Sequence, residues 1–340
     1  MSTLRSEGDN IHVRAPRLDR RQRSRVLVTG ASGFVGSQVV RAALDRGDEV
    51  VAAVRSRSRA ARLEGLTKDI RIVEADLNDV GSIEKLTSEA APDIALHLAW
   101  PLGPDYNSPD NLACVGGSLA LLQCLVERRC PRIVFVGTHY ELAPSETDLG
   151  ENDPVAPANF YAVCKDAVHR VARSYVAGAE ASFVWARLFN VYGPGQNDWA
   201  LVSYIVRSLL DGRVCRLTLG DQVRAFLHVR DAADALLDIG HAPIRGVIHV
   251  GSDEITTVRD LALRIAEQLG RPELLSFGEL APRPEEARRI VPSVARLHSE
   301  VGFRPKLSLN EGLMDTVDWW RKRTAGIHME SDIGVTHEVS

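Results

Sequence analysis

Short apolar runs alternate with longer amphipathic stretches through the first half of the chain. The runs that predict β-strands lie at 25–29, 49–54, 70–74, 94–98, 132–136 and 182–188. Between them, apolar residues recur at helical spacing, as in 37–46, 119–128 and 161–175. Strands that alternate with helices in this way predict an α/β fold with a parallel sheet covered on both faces.

After residue 190 the alternation becomes irregular. Prolines and glycines divide the second half into shorter pieces, at Pro194, Gly195, Gly212, Gly220, Pro282 and Pro284. We therefore predict a parallel-sheet domain over 25–190 and a smaller lobe built mainly from 191–325. Residues 1–24 and 326–340 lack an apolar period and are predicted to be flexible tails.

Composition narrows the class of protein. The 340 residues are 45% hydrophobic and 25% charged, which is average for a globular chain, and the net charge of −4 argues against nucleic acid as a partner. No run approaches the ~18 apolar residues of a membrane span, and the N-terminus lacks the apolar core of a secretory signal. The five cysteines form no CxxC pair, so we predict neither a disulfide framework nor a metal site, and a cytoplasmic location.

A glycine-rich turn follows the first predicted strand and opens the first helix. In this turn Gly30 suits a tight bend, Gly33 allows the backbone to approach a pyrophosphate, and Gly36 allows helix and strand to pack closely. Taken alone, the same pattern is also compatible with an ordinary glycine-rich connection between a strand and a helix.

Further motifs accompany this turn in a fixed order. They are TGASGFVG at 29–36, DL at 76–77, HLAW at 97–100, YAVCK at 161–165, RLFNVYGP at 187–194 and RAFLHVRD at 224–231. With these motifs the chain resembles the extended short-chain dehydrogenases that act on nucleotide sugars. The resemblance, over about 25–320, implies a Rossmann-like doubly wound sheet that holds a nicotinamide cofactor and a C-terminal lobe that holds a nucleotide diphosphate sugar.

The resemblance also implies which residues bind the cofactor. They are Gly30, Ser32, Gly33, Phe34, Val35, Gly36, Asp76, Leu77, Leu98 and Ala99, together with Tyr161 and Lys165. Asp76 has an ordinary alternative, which is to cap the helix that follows. The second strand ends without the acidic residue that NAD-preferring relatives carry, and Arg55, Arg57 and Arg59 follow it. This loop favours NADP through Arg55, with NAD as the alternative if the arginines are only solvated surface charges.

Tyr161 and Lys165 are four residues apart on a predicted helix, so both side chains project from one face. A phenol has an ordinary pKa near 10, and acid–base work near neutrality requires a depression that a neighbouring ammonium can supply. We therefore expect Lys165 to lower the pKa of Tyr161. The resemblance adds Thr138 as the residue that hydrogen-bonds the reacting substrate oxygen, and it places Lys165 at the nicotinamide ribose.

The residues after Thr138 depart from the family pattern. His139 and Tyr140 stand where dehydratases of the family have Asp and Glu, and Tyr140 also stands where certain epimerases have cysteine. The chain therefore lacks the residues that the dehydratases and those epimerases use for their reactions. His139 is either an additional acid or, as we favour, a packed loop residue, and Cys164 is expected only to fill space.

The resemblance assigns the substrate diphosphate to Asn190, Arg224 and Arg283. Arginine has a planar fork that suits phosphate oxygens. Each residue has an alternative, since Asn190 can cap a turn and the two arginines can be surface charges.

These residues favour one activity and leave others open. The leading hypothesis is NADPH-dependent reduction of a nucleotide-linked 4-keto-6-deoxyhexose, as in the 4-ketoreductase branch of the family. The alternatives are an NAD-dependent 4-epimerase, a non-catalytic cofactor-sensing protein and, more distantly, a reductase of a non-sugar ketone. The family also implies a homodimer through the helices near 112–127 and 161–175. The nucleotide, the sugar and the stereochemistry remain open.

Overall fold

The structure is a computed structural model that describes residues 23–282 and 287–331. The predicted tails fall mostly outside these ranges, at 1–22 and 332–340. The part of the second predicted tail that the structure describes is helical, because the last helix continues to Ser331. No proline interrupts it after 309, so the helix extends past residue 326, where we predicted the tail to begin.

The described residues form fourteen strands and eight α-helices. The strands are β1 (Arg25–Thr29), β2 (Glu49–Val54), β3 (Arg71–Glu74), β4 (Ile94–His97), β5 (Arg132–Thr138), β6 (Ser182–Leu188), β7 (Val191–Tyr192), β8 (Cys215–Leu217), β9 (Val223–Ala225), β10 (Leu227–His228), β11 (Gly246–Val250), β12 (Ile255–Thr257), β13 (Leu275–Phe277) and β14 (Arg289–Ile290). The helices are α1 (Phe34–Asp45), α2 (Val80–Ala90), α3 (Asp110–Glu127), α4 (Phe160–Val176), α5 (Leu201–Leu210), α6 (Val229–His241), α7 (Val258–Leu269) and α8 (Leu309–Ser331).

Within the described residues, seven strands form one parallel sheet in the order β3-β2-β1-β4-β5-β6-β11. Alternate side chains of β1 enter different cores: Val26 and Val28 pack with α1 and α6 on one face, and Leu27 packs with α2, α3 and α4 on the other. The sheet is therefore covered on both faces. This confirms the predicted Rossmann-like fold and its six strands.

The seventh strand of this sheet comes from the second half of the chain. After β10, helix α6 packs beside α1, and β11 then pairs with β6 in parallel. The predicted domain boundary at residue 190 therefore separates β11 from its sheet and α6 from the face of the sheet that it covers. A five-residue strand such as β11 carries little periodic signal, so only the tertiary pairing reveals this return.

The remainder of the second half forms the smaller lobe. Its core is made by α5, α7, α8 and β8, through Val202, Ile205, Val206, Cys215, Leu261, Ile265, Leu313, Val317 and Trp320. Three short strands in the order β12-β9-β14 lie beside this core. Throughout the described part of the chain, no helix is both long and apolar enough to cross a membrane.

The order of the strands reverses at β1, which pairs with β2 on one side and with β4 on the other. In sheets of this kind, ligands bind at the carboxyl ends of the strands at such a reversal. Helix α3 passes close to this edge, because a side chain at Gly117 would place its Cβ 2.3 Å from the carbonyl oxygen of Leu77. The backbone after β3 and the backbone of α3 are therefore in direct contact.

This contact predicts opposite effects for two adjacent glycines of α3. Gly117→Ala should destabilise the protein by about 1–3 kcal/mol, because the new methyl group overlaps Leu77. Gly116→Ala is the matched control: a Cβ there meets nothing within 4 Å, and alanine favours a helix by about 0.8–1 kcal/mol over glycine. Thermal unfolding of the two variants measures the difference. Equal melting temperatures would contradict the close packing.

Candidate active site

Two of the predicted catalytic residues lie at the start of α4. The helix begins with Asn159, whose side chain accepts a hydrogen bond of 2.9 Å from the Ala162 N–H. This cap sets the helix so that Tyr161 and Lys165 turn toward the end of β5. Both are buried, with 8% and 4% of their surface exposed.

The structure brings all three predicted catalytic residues together. The hydroxyl group of Thr138 lies close enough to that of Tyr161 to act on the pKa of the phenol. Lys165 Nζ donates a hydrogen bond of 2.8 Å to the carbonyl oxygen of Val136 and lies 4.0 Å from the centre of the Trp100 ring. The three side chains therefore form one cluster at the carboxyl end of β5.

Burial shifts the pKa of both ionisable members of this cluster. Burial raises the pKa of Tyr161, and the neighbouring Thr138 hydroxyl opposes this rise only in part. Burial also lowers the pKa of Lys165 to about 8. We expected Lys165 to depress the pKa of Tyr161, and in the structure that expectation is wrong. The reason is desolvation: a buried site disfavours the phenolate and the ammonium alike.

A cavity of about 470 Å³ opens beside the cluster, at the carboxyl ends of β1, β2 and β4. The residues predicted to bind the cofactor that line it are Gly30, Ser32, Gly33, Arg55, Asp76, Leu77, Leu98 and Ala99. Phe34, Val35 and Gly36 form the first turn of α1. Asp76 does not cap the next helix, since Asp79 accepts from the Gly81 and Ser82 N–H groups in that role.

The backbone around this cavity fits a dinucleotide. Gly30 has φ +69°, and a Cβ there would lie 2.8 Å from the Ala99 nitrogen. A Cβ at Gly36 would lie 2.1 Å from the Gly30 carbonyl oxygen. Helix α1 begins at Gly33 without a side-chain cap, so its first N–H groups are available to an anion. These features agree with the tight bend predicted at Gly30 and the close packing predicted at Gly36, and the approach of Gly33 to a pyrophosphate stays a prediction.

The three loop arginines have different surroundings. Arg55 is exposed and lines the cavity. Arg57 is bound to the third strand: its N–H donates to Glu74 at 2.7 Å, and its guanidinium donates to the Ile72 carbonyl at 2.8 Å. The side chain of Arg59 lies outside the described residues. Of the two described side chains, Arg55 is therefore the one placed to reach a cofactor.

A fourth arginine of the same segment escaped the sequence reasoning. Arg62 donates hydrogen bonds to the carbonyl oxygens of Ser32, at 3.3 Å, and Gly195, at 2.9 Å. It thereby connects the glycine turn to the loop that follows β7. No local pattern marks this residue, because its two partners are distant in the sequence.

One face of α3 also lines the cavity without having been predicted. Asp110, Ala113, Cys114 and Gly117 contribute to it, with a spacing of three or four residues that places them on one side of the helix. That spacing was the available signal. His97, from the HLAW motif, lines the cavity as well and bonds Thr29 at 2.7 Å and Ser118 at 2.8 Å, while burial lowers its pKa to about 3.

The two residues after Thr138 are packed among other rings. The His139 ring lies 4.2 Å from the Tyr140 ring and 5.6 Å from the Phe189 ring, and burial lowers the pKa of His139 to about 3. Burial raises the pKa of Tyr140, whose ring lies 5.2 Å from that of Tyr106. His139 is therefore neutral near pH 7, which favours its interpretation as a packed loop residue over an additional acid.

Two of the three predicted substrate residues can be described. Arg224 is buried and donates to the carbonyl oxygens of Ala287, at 2.8 Å, and Arg288, at 3.2 Å. Its positive charge also acts on His139 and Tyr140. Asn190 donates to the Ala225 carbonyl at 3.2 Å. Arg283 lies outside the described residues.

The amino-acid sequence is similar to those of characterised proteins over most of its length. UDP-N-acetyl-alpha-D-glucosaminuronate decarboxylase of Bacillus cytotoxicus is 25% identical over 322 residues, which cover 88% of this chain and 98% of that protein. The dTDP-D-glucose 4,6-dehydratase of Mus musculus is 27% identical over 316 residues, which cover 88% and 89%.

Solved structures share the fold as well. UDP-glucose 4-epimerase of Thermus thermophilus, in complex with NAD, superposes with a TM-score of 0.76 at 28% identity, over 87% of this chain and 98% of that one. The sequence model of the NAD dependent epimerase/dehydratase family matches residues 26–251. Since that match spans the glycine turn, the Thr-Tyr-Lys cluster and the parallel sheet, the chain belongs to the NAD dependent epimerase/dehydratase family.

Proposed function

We propose that this protein is an NADPH-dependent reductase that converts a nucleotide-linked 4-keto-6-deoxyhexose to the corresponding deoxysugar. The observation that carries the proposal is the buried cluster of Thr138, Tyr161 and Lys165 beside a cavity that fits a dinucleotide. A nicotinamide bound there supplies the hydride. The protein must then supply one proton to the carbonyl oxygen of the substrate.

Tyr161 is the proposed proton donor. Because burial raises its pKa, the phenol stays protonated near neutrality, and this is the form that a reductase needs before the reaction. Thr138 lies close enough to Tyr161 to act on its pKa, so its hydroxyl group can hold the same substrate oxygen. Lys165, with its pKa lowered to about 8, is mostly protonated at neutral pH and can compensate the charge left on Tyr161.

Reduction fits the residues better than loss of water does. A dehydratase needs an acid and a base near the departing hydroxyl. In this chain the corresponding residues are a neutral packed histidine, His139, and a protonated tyrosine, Tyr140. The intact catalytic cluster likewise argues against a cofactor-sensing protein without catalysis.

For the coenzyme we propose NADP, with Arg55 as the ligand of the 2′-phosphate. Arg55 is exposed at the end of β2 and lines the cavity. For the substrate we propose a nucleotide diphosphate sugar, the class of compound in the names of the decarboxylase, dehydratase and epimerase above. Arg224, Asn190 and Arg283 remain the proposed contacts to its diphosphate.

A nucleotide-sugar 4-epimerase with NAD is the second candidate. The observation in its favour is the likeness to UDP-glucose 4-epimerase of Thermus thermophilus, whose structure contains NAD. Such an enzyme would use Tyr161 twice, first to accept the proton of the 4-hydroxyl group and then to return it to the same oxygen. No net coenzyme would be consumed.

The protein is further proposed to act as a cytoplasmic homodimer. Helices α3 and α4 expose Leu112, Val163, Val171 and Tyr175, each with 47% or more of its surface accessible. A second copy of the chain would cover this apolar face. All five cysteines are free, which supports a reducing compartment.

Isotope transfer tests the proposed reaction directly. Purified protein with NADPH deuterated at the transferable position should convert a nucleotide-4-keto-6-deoxyhexose to a product with one deuterium at carbon 4. One NADPH should be consumed per product, as measured by mass spectrometry and absorbance. Conversion of a nucleotide hexose to its 4-epimer with NAD and without net coenzyme consumption would favour the epimerase, and loss of water from such a hexose would contradict both.

Tyr161→Phe should reduce kcat by about 10² or more, because only the transferable proton is removed. Coenzyme affinity should change little, since the ring remains. Tyr175→Phe on the same helix is the matched control, because it removes the same hydroxyl group about four helical turns from Tyr161 and keeps the ring at the proposed dimer face, so its rate should equal that of the parent. Steady-state kinetics measure both variants. A Tyr161→Phe rate within about threefold of the parent would exclude Tyr161 as the donor.

Arg55→Ala should raise the KM for NADPH roughly tenfold or more and leave the KM for NADH nearly unchanged, because a charged hydrogen bond to phosphate contributes about 1.5–3 kcal/mol. Arg57→Ala removes the same charge from the same loop and serves as the control. Since Arg57 is bound to Ile72 and Glu74, its loss should affect both coenzymes alike. Equal losses with both coenzymes for Arg55→Ala would refute a 2′-phosphate contact.

A further inference from the structure

A carboxylate is buried directly beneath the catalytic threonine. Glu141 ends the short 3₁₀ turn that follows β5 and has no exposed surface. It accepts hydrogen bonds from the Thr138 N–H at 2.8 Å, from Trp185 Nε1 at 2.9 Å and from Arg187 Nε at 2.8 Å. The last two donors lie on β6. Glu141 therefore joins the catalytic end of β5 to the neighbouring strand.

The packing around Glu141 leaves little freedom to move. A Cβ at Gly137 would lie 2.2 Å from Trp185 Nε1 and 2.6 Å from Glu141 Oε1. The glycine before Thr138 thus makes room for the indole and the carboxylate. The Trp185 ring is covered on its other side by His169, with ring centres 5.0 Å apart and nearly parallel.

The hydrogen bonds indicate the charge of Glu141. Burial raises its pKa, and Arg187, the Thr138 N–H and Trp185 oppose the rise. All three partners donate hydrogen bonds, and a protonated carboxyl would need an acceptor in place of one of them. The ionised form satisfies every partner, so Glu141 and Arg187 form a buried ion pair.

The charge of Glu141 reaches the catalytic residues. The negative charge raises the pKa of Lys165, which burial lowers. It also raises the pKa of Tyr161, which burial raises as well. Among the described residues, three other titratable groups lie next to the ion pair of Glu141 and Arg187. They are His169 on α4, His249 on β11, and Glu151, whose carbonyl oxygen accepts a hydrogen bond from Arg187. The pKa values of both histidines are lowered, to about 4 and about 3, so both are neutral near pH 7.

We propose that Glu141 is a positioning residue of the active site, which holds the backbone of Thr138 in place and supplies a fixed negative charge beneath Tyr161 and Lys165. This role refines the proposed reductase mechanism, and its expected effects on kcat and KM rest on that proposed function. Glu141 has no exposed surface with which to touch substrate, so it acts only through the three catalytic residues. Arg187 keeps the charge in place, and Trp185 sets the side-chain orientation.

Two substitutions separate the two parts of this role. Glu141→Gln keeps the length of the side chain but removes the charge. Glu141→Asp keeps the charge but withdraws it by one methylene from the Thr138 N–H. Both should lower kcat by about tenfold or more with KM within about threefold, because a misplaced catalytic group slows the chemical step. Only Glu141→Gln should shift the pH profile, to lower pH, since losing a negative charge lowers the pKa of Lys165 and of Tyr161.

A substrate-free measurement keeps this test independent of the proposed reaction. NMR titration of isotope-labelled lysine side chains follows their ionisation, and comparison with Lys165→Met identifies the contribution of Lys165, whose pKa is lowered to about 8. Glu141→Gln should move that contribution to lower pH by about half a unit or more, while Glu141→Asp should leave it near the parental position. If the parent turns over no keto sugar, the proposed reaction fails, and the titration still decides the role of Glu141.

Asp231→Asn is the matched control. Asp231 is also a buried carboxylate, and it accepts from the backbone N–H groups of Lys306 and Leu307, away from the catalytic cluster. Its substitution should lower the melting temperature without changing kcat or the pH profile. If Glu141→Gln behaves in the same way, with a lower melting temperature and a parental titration and kcat, Glu141 is only structural and the proposal is wrong.

Discussion

Close contact between backbone segments at the end of β1 is the constraint on which the cofactor site depends. A Cβ at Gly30 would overlap the backbone of Ala99 after β4, and one at Gly36 would overlap the carbonyl of Gly30. A Cβ at Gly117 would likewise overlap Leu77. Because three glycines remove these side chains, β1, β4, α1 and α3 converge, and a cavity remains at the reversal of strand order.

Burial, rather than pairing of opposite charges, dominates the electrostatics next to this cavity. It raises the pKa of Tyr161 and lowers those of Lys165, His97 and His139. The catalytic tyrosine is therefore protonated and the histidines are neutral near pH 7. Such a site is suited to donating a proton, in keeping with the proposed reduction. The ion pair of Glu141 and Arg187 brings a negative charge into the same region.

The two lobes meet through contacts that are distant in sequence. Arg62 connects the glycine turn to Gly195, Arg224 on β9 acts on His139 and Tyr140, and β11 returns to complete the sheet. The second half of the chain therefore extends the parallel sheet and brings the charge of Arg224 to the residues that follow Thr138.

The sequence by itself determined the fold class, six of the sheet strands, the glycine turn and the pair of Tyr161 and Lys165, because these features have local periodicity or fixed spacing, while Thr138 followed from the family resemblance. Only the tertiary structure decided the return of β11 to the sheet, the α3 face of the cavity, the bridging position of Arg62 and the burial of Glu141. Each of these depends on which distant segments are in contact. The predicted pKa of Tyr161 failed for the same reason, since spacing shows that Lys165 is near but not that both are removed from water.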